Sequence, residues 1–382
     1  MKKHKICIIG DGLSGLITAQ ILGKLDVEID LISKKSEKKN IDNRVTAISP
    51  SNYKFISEFL PQKDLKFFFE CKKVNLYHEN ENNNYVNFMN FENSKKNIIL
   101  TVENKNLKKI LIKNIRKNKK IKIFKEKISK IDSNKTRICF KNKERYYDMI
   151  FLCMGKNQRI VEKLIGKRFI QEDKKEIAFT CLVNHSLNVI ESKQYFLKEG
   201  PMALLPINSK KFSLIWSVNK SYRQYKDNEI NKLVTLKLNN IFSKNIKFNL
   251  DKINRFPIYF KFHRNFFQNN IFAIGDSVYS VFPIAGQGFN LVLRDIQELY
   301  KKIKESISIG LQLKDSLIFN DLISNRKPEN LLYGLGIDLT QKFFRYSKLT
   351  APIKNNLLKD IDKFTFLKKI GLKISDKGII NN

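Results

Sequence analysis

The sequence predicts an α/β fold: a parallel-sheet domain assembled from separated segments, a β-rich domain inserted between them, and helices at the C-terminal end. Three observations predict it. A strand–glycine turn–helix–strand unit occupies residues 5–32, a second glycine-bearing turn follows a buried strand at 270–276, and the chain between them reads mainly as strands punctuated by Pro201, Pro206 and Pro257.

Taken in order, residues 5–9 form a short apolar strand and 27–32 a second. Between them Gly10-Asp11-Gly12-Leu13-Ser14-Gly15 opens an apolar helical stretch, 16–25. A Lys- and Asn-rich polar stretch covers 33–43, and residues 72–99 read as short strands with polar turns. A helix is expected over 104–118, strands at 121–124, 128–131 and 136–140, and a buried strand at 149–153 that ends at Gly155. Residues 176–218 and 253–260 are β-rich, 270–274 is an apolar strand, and the pattern turns helical from Phe289. The predicted division is a discontinuous Rossmann-type domain (1–71, 100–174, 262–300), a β-rich domain (72–99, 175–261) and a C-terminal helical region (301–382).

Composition narrows the function classes. No run of 18 apolar residues occurs, and the apolar run after the basic start stops at Gly10, too short for a signal peptide, so a cytoplasmic protein is expected. The five cysteines are scattered without a CxxC pair and the four histidines lie far apart, which predicts reduced core thiols and no metal site. The formal charge is +35, but of 72 basic residues only 12 are arginine, and the other 60, all lysine, are spread along the chain with many Asn and Ile. Nucleic-acid sites cluster arginine with aromatic side chains, so no nucleic-acid partner is expected; attraction to an anionic membrane surface needs only surface charge.

Three motifs carry chemistry. In the first, Gly10 permits a tight turn, Gly12 lets a pyrophosphate approach the backbone, and Gly15 lets the helix pack on the strand. The helix N-terminus then presents unpaired N–H groups to phosphate. The acidic residue that grips ribose in such domains is missing: its place falls near Ser33, and the preceding Asp30 shares that face only if the strand continues regularly, which counts against a simple NAD dehydrogenase. The second motif is Arg44-Val45-Thr46-Ala47-Ile48-Ser49, where Arg44, beside Asp42, serves either a cofactor phosphate or ribose or a surface ion pair. The third runs from Gly275-Asp276 through Pro283 to Gly286-Gln287-Gly288-Phe289-Asn290. The Asp276 carboxylate is placed to accept sugar-alcohol hydroxyls, and the Gly286–Gly288 turn opens a helix whose amides can stabilise negative charge on a cofactor edge.

In this order the motifs resemble the aromatic-ring flavin monooxygenases of the para-hydroxybenzoate hydroxylase fold, and within them the ubiquinone-biosynthesis FAD-dependent hydroxylases. Asp42-Asn43-Arg44, Val102–Leu107, Gly200-Pro201-Met202-Ala203-Leu204-Leu205-Pro206 and Ser213–Trp216 add to the likeness, which spans residues 5–345. The resemblance implies FAD contacts at Gly10, Gly12, Gly15, Arg44, Gly155, Asp276, Gly275, Gly286, Gly288 and Asn290, and at Lys105, which stands where the family has arginine. It implies a Rossmann-type FAD-binding domain with a β-rich substrate domain whose sheet roofs the flavin. It also implies that NAD(P)H reduces FAD and that O2 supplies an oxygen atom to a polyprenylated phenol of ubiquinone biosynthesis, other proteins of that pathway being possible partners. Pro283, Gln287 and Asn290 are then the residues expected to matter near the ring, by position and hydrogen bonding.

The chain departs from the family pattern in places. The middle motif that links FAD and NAD(P)H binding keeps Gly155 but has Met154 for aspartate, and Tyr279 replaces the histidine after Gly-Asp. With Ser33, these leave three readings open: an active monooxygenase, a non-catalytic or diverged FAD-binding subunit of a ubiquinone-biosynthesis complex, or a different flavin reaction such as prenyl reduction, halogenation being disfavoured by the single Trp. Finally, residues 354–373 place Leu357, Leu358, Ile361, Phe364, Leu367 and Ile370 at near-helical spacing among lysines. That pattern fits either an amphipathic helix docked on a membrane or a helix packed on its own domain.

Overall fold

The structure, a computed structural model, describes residues 3–33, 42–155, 158–242, 246–283, 286–314, 317–345, 358 and 363–379. The N-terminal part runs β1 (His4–Ile9), α1 (Leu13–Leu22), β2 (Val27–Ile32), β3 (Val45–Ile48), α2 (Pro50–Ser57), β4 (Phe69–Cys71), β5 (Lys73–Glu79), β6 (Tyr85–Glu92), β7 (Ile99–Glu103) and α3 (Asn104–Lys117). Then come β8 (Ile121–Phe124), β9 (Lys130–Asp132), β10 (Arg137–Cys139), β11 (Glu144–Tyr146), β12 (Met149–Leu152) and α4 (Gln158–Ile165). The middle of the chain holds β13 (Phe169–Asn184), β14 (Ser192–Leu197), β15 (Gly200–Asn208), β16 (Lys211–Asn219), α5 (Asp227–Phe242), β17 (Asn249–Leu250) and β18 (Asn254–His263). The last described elements are β19 (Phe267–Gln268), β20 (Ile271–Ala273), β21 (Tyr279–Ser280), α6 (Gly288–Ser308), α7 (Leu317–Phe344) and α8 (Thr365–Lys377).

The strands expected at 5–9, 27–32, 121–124, 149–153 and 270–274 join, with β19, one six-stranded sheet in the order β19-β20-β12-β1-β2-β8. All neighbours in it are parallel except β19, which pairs antiparallel with β20. β12 and β20 are buried at every residue, as a parallel sheet covered on both faces requires. The strand order reverses between β1 and β12, so a crevice opens where both strands end, the position at which such sheets take ligands.

The second large sheet runs β21-β18-β13-β16-β15-β14-β5-β6, with β17 added on β13. Alternation along β13 assigns its two faces. Ile177, Phe179, Cys181 and Val183 pack with Trp216 and Phe212 beneath the α5 residues Ile230, Val234 and Leu238. Ala178 and Leu182 point the other way: Ala178 clusters with Ile258 and Phe282, and Leu182 with Val45 and Ala47. This inner face therefore covers the segments that follow β2 and β21. Among the described residues no helix is long and apolar enough to cross a membrane.

Several elements differ from the sequence reading. α2 and α5 were not expected; α2 begins at Pro50 with Ser49 as its N-cap, and α5 buries a single Ile230–Val234–Leu238 stripe. The expected strands at 128–131 and 136–140 shorten to three residues each in the small β9–β10–β11 sheet. At the C-terminus the helix lies at Thr365–Lys377, later than the amphipathic stretch suggested; of that stretch, residues 354–357 and 359–362 lie outside the described residues.

Candidate functional site

Four segments meet at the carboxyl ends of β1, β12 and β20. Gly10 leaves β1 in the left-handed region, at φ +118°, and its N–H donates to the Ile32 carbonyl at 2.9 Å. A Cβ on Gly10 would overlap the Cys153 carbonyl oxygen, and a Cβ on Gly15 the Gly10 carbonyl oxygen. Both glycines are thus demanded by the packing of α1 between the strands. Gly275, at φ +67°, lies against α1: a Cβ there would sit 3.0 Å from Ser14 Oγ. The two glycine turns are therefore in contact. The middle motif joins them through its backbone, the Met154 N–H donating to Ser277 Oγ at 2.9 Å. Met154 in place of aspartate leaves this junction made.

The fourth segment is the turn after Pro283, a half-buried residue; Ile284 and Ala285 lie outside the described residues. Gly286, at φ +66°, approaches Ala47 so closely that a Cβ would lie 2.7 Å from the Ala47 Cβ. Asn290 then ties α6 to β3 and α2. Its Nδ2 donates to Ala47 O (3.1 Å) and Gln287 Oε1 (3.2 Å), and its Oδ1 accepts from Ser49 N (2.9 Å) and Asn52 Nδ2 (3.0 Å). An amide has two donors and two strong acceptor positions, and here the protein uses all four. Asn290 is a positioning residue. Gln287, the N-cap of α6, accepts through Oε1 from Tyr333 OH at 2.9 Å.

The charged residues are tethered. Arg44 forms a two-point pair with Asp42 (2.8 and 2.7 Å) and lies over the Phe256 ring, 5.1 Å from its centroid. Hydrogen bonding to Asp42 holds its guanidinium pKa above the usual value, and the Asp276 charge adds to this. Asn104 fixes Asp42 in turn (3.1 Å) while accepting from Thr46 Oγ1 (2.6 Å). Lys105 is paired with Glu103 at 2.8 Å. Asp276 itself is exposed.

Asp30 does not lie open for ribose. Its buried carboxylate accepts from Arg145 (2.9 Å) and Tyr147 (2.8 Å), with Lys5 at 3.7 Å. Ser33, at the end of β2, donates to Phe124 O at 3.4 Å. Tyr279, in the family's histidine position, donates to Asp295 at 2.6 Å, and Asp295 also accepts from Arg326 (2.9 Å) and Asn330 (3.0 Å). These partners of Tyr279, and the set Asn104, Thr46, Ser49, Asn52 and Tyr333, were not singled out from the sequence. Asn104, Thr46 and Ser49 sit in stretches already marked by resemblance, without being named there for their side chains.

Comparison with known proteins places this geometry. A family model described as "FAD binding domain" matches residues 159–310. Ubiquinone biosynthesis monooxygenase COQ6 of Dictyostelium discoideum is 27% identical over 215 residues, covering 48% of this chain and 43% of the relative. The 3-demethoxyubiquinol 3-hydroxylase of Escherichia coli is 23% identical over 190 residues, covering 48% and 44%. Over part of its length the chain is thus similar to ubiquinone-biosynthesis FAD-dependent hydroxylases. It spans less than half the length of these curated relatives. The p-nitrophenol 4-monooxygenase PnpA of Pseudomonas putida superimposes over 100% of both chains with a TM-score of 0.79 at 13% identity, which shows a shared fold.

Whether these residues suit the family's FAD is decided at Gly12. Its φ of −71° is open to any residue, and a Cβ there would meet nothing within 4 Å. Among the described residues neither backbone strain nor a protein neighbour calls for glycine, so the missing side chain leaves open space in front of α1. No side chain caps α1 and no acidic residue stands in its first turn, leaving the helix N-terminus suited to a diphosphate. α6 likewise lacks a side-chain cap. The residues fit FAD.

Proposed function

We propose that this chain is an FAD-dependent monooxygenase that hydroxylates the aromatic ring of a polyprenylated phenol in ubiquinone biosynthesis, with NAD(P)H as reductant and O2 as oxygen source. The observation that carries the reading is the contact between the Gly10–Gly15 and Gly275 turns beside the open space at Gly12. Bound FAD supplies the redox and oxygen-transfer chemistry. The chain's own residues bind, orient and exclude water. The α1 N-terminus and Gly12 take the diphosphate, Asp276 accepts hydrogen bonds from the sugar alcohol, and Arg44 lends positive charge at the adenosine side. The α6 N-terminus at Gly286–Gly288 stabilises negative charge on the ring edge. Pro283 and Gln287 border the ring, and Asn290 holds their turn to β3.

In this reading residues 1–71, 100–174 and 262–300 are the FAD-binding domain, 72–99 and 175–261 the substrate domain, and 301–382 a helical region. The inner sheet face around Ala178 and Leu182 supplies the dry roof. A polyprenyl substrate implies work at a lipid surface, and α8 suits that: Phe366 (70% exposed), Leu367 and Ile370 face outward among Lys369, Lys373 and Lys377. Anionic lipid and other ubiquinone-biosynthesis proteins are the partners this implies.

Met154 and Ser33 favour a second reading, a subunit that binds FAD without turnover. Purified protein incubated with FAD, then supplied with NAD(P)H and a prenylated phenol under O2, separates the two. Flavin absorbance with phenol-stimulated NAD(P)H and O2 consumption supports the enzyme. Flavin absorbance without stimulation supports the subunit, and protein that stays colourless overturns both.

A further inference from the structure

The C-terminal helix does more than present an outward face. Its last turn is bound by the residues that build the Gly286–Asn290 turn. Arg294, one helical turn beyond Asn290 on α6, donates through Nη2 to the carbonyls of Ser375 (2.9 Å), Asp376 (3.3 Å) and Ile374 (3.4 Å). The Ser375 and Asp376 carbonyls belong to those that the end of a helix leaves without helical partners, while the Ile374 carbonyl also accepts from the Gly378 N–H at 2.9 Å. On the opposite side, the Asp376 carboxylate accepts from Ser51 N (2.7 Å) and Ser51 Oγ (2.8 Å), and the Asp376 carbonyl accepts from Ser49 Oγ (3.0 Å). A carboxylate is thus supplied, from 325 residues away in sequence, to the first turn of α2, where the helix dipole favours negative charge.

Both anchors lead to the same place. Ser49 is the residue whose N–H binds Asn290 Oδ1, and Arg294 lies over the ring of Tyr333, whose hydroxyl binds Gln287. The chain then turns at Gly378, φ +97°, where a Cβ would overlap Glu329 Oε1 and lie 3.3 Å from Arg294 Nη1. We propose that the segment Ile374–Gly378 is a clasp that bridges the β3–α2 junction and α6, and that Asp376 and Arg294 are positioning residues for the turn at Gln287–Asn290. The proposal rests on that turn bordering the flavin, as in the function proposed above. A C-terminal strap then sets the spacing of the cofactor site from outside it.

The test uses the full chain with Asp376→Ala, Ser51→Ala and the double variant, and Lys373→Ala as a control one turn away on the exposed face. FAD affinity is read by titration of flavin fluorescence, and amide exchange of residues 286–291 is read in FAD-free protein. Loss of charge-assisted hydrogen bonds predicts FAD binding about tenfold weaker for Asp376→Ala. Ser51→Ala weakens it less, and the double variant is no worse than Asp376→Ala, because both break one junction. Exchange at 286–291 should quicken in step. A role confined to holding α8 in place would lower the thermal midpoint without altering either FAD affinity or exchange at 286–291, and that result overturns the clasp. Wild-type protein that binds no FAD, while exchange at 286–291 still quickens in Asp376→Ala, overturns the proposed function and leaves the strap standing.

Discussion

Gly12 offers the sharpest separation of cofactor from fold. In Gly12→Ala the backbone at φ −71° is unstrained and the new methyl meets no atom of the described residues within 4 Å. The fold then loses only the difference between glycine and alanine as an N-cap, about 0.5–1 kcal/mol. Gly10→Ala differs on both counts: it places a side chain at φ +118° and drives Cβ into the Cys153 carbonyl. A non-glycine residue in such a conformation costs ~1–3 kcal/mol before any overlap is counted. FAD reports the other half. At a concentration of 100 times its Kd a ligand stabilises the native state by about 2.7 kcal/mol, so a tenfold weaker Kd leaves about 1.4 kcal/mol at the same concentration. Thermal unfolding with and without FAD should therefore show Gly12→Ala nearly as stable as wild type without cofactor but with its FAD-dependent gain about halved or worse. Gly10→Ala should already be destabilised without FAD. An undiminished FAD gain in Gly12→Ala would refute the argument that the space before α1 receives the diphosphate.

Three further outcomes are expected. His263 is fully buried on β18 with neither ring nitrogen hydrogen-bonded among the described residues; burial first, and then the Lys261 charge, pushes its pKa from 6.5 down to about 4, with the Glu162 carboxylate of α4 lying 3.8 Å from Lys261 Nζ. The unfolded chain takes up this proton near pH 6.5 and the native state only near 4, so stability present above 6.5 drops by ~3 kcal/mol as pH falls through that window; denaturant titrations of His263→Phe should show a correspondingly shallower acid loss, and equal slopes would contradict this. Tyr279→Phe removes the donor to Asp295 while Arg326 and Asn330 still bind it, so a loss of about 1–3 kcal/mol is expected by denaturant titration, with the flavin spectrum unchanged. Replacing Phe366, Leu367 and Ile370 together by serine should reduce co-sedimentation with anionic vesicles, since these exposed side chains supply the apolar part of the contact; undiminished binding would dismiss α8 as the lipid-facing element.

What the sequence disclosed and what it withheld divide along the range of the interactions. β12, β20 and the Ile6–Ile9 run of β1 were legible because a parallel strand buried on both faces is an unbroken apolar run, a purely local signal; β2 and β8, broken by Glu28, Asp30 and Lys122, show alternation instead. Gly10, Gly12 and Gly15 were legible because their spacing is fixed by one turn. α5 carries its helical signal in a stripe of three residues, Ile230, Val234 and Leu238, set between long strands. The polar framework is another matter. Asn290 meets Ser49 across 241 residues, Asp30 meets Arg145 across 115, and Asp376 meets Ser51 across 325. A single Asn or Asp in sequence carries no mark of such a partner, because its hydrogen bonds are chosen by the assembled fold. The same limit explains Asp30, which stands near the place of a ribose-binding acid and yet belongs to a buried ion pair. The lesson bears on Met154 as well. Judged by residue type it breaks the family's middle motif, but the structure uses its backbone N–H to bind Ser277, a contact that aspartate and methionine make equally. The substitution therefore removes a side-chain carboxylate from the middle motif while leaving in place the junction between the middle motif and the Gly275 turn, and any functional difference it causes should appear in handling of the reductant before it appears in binding of FAD.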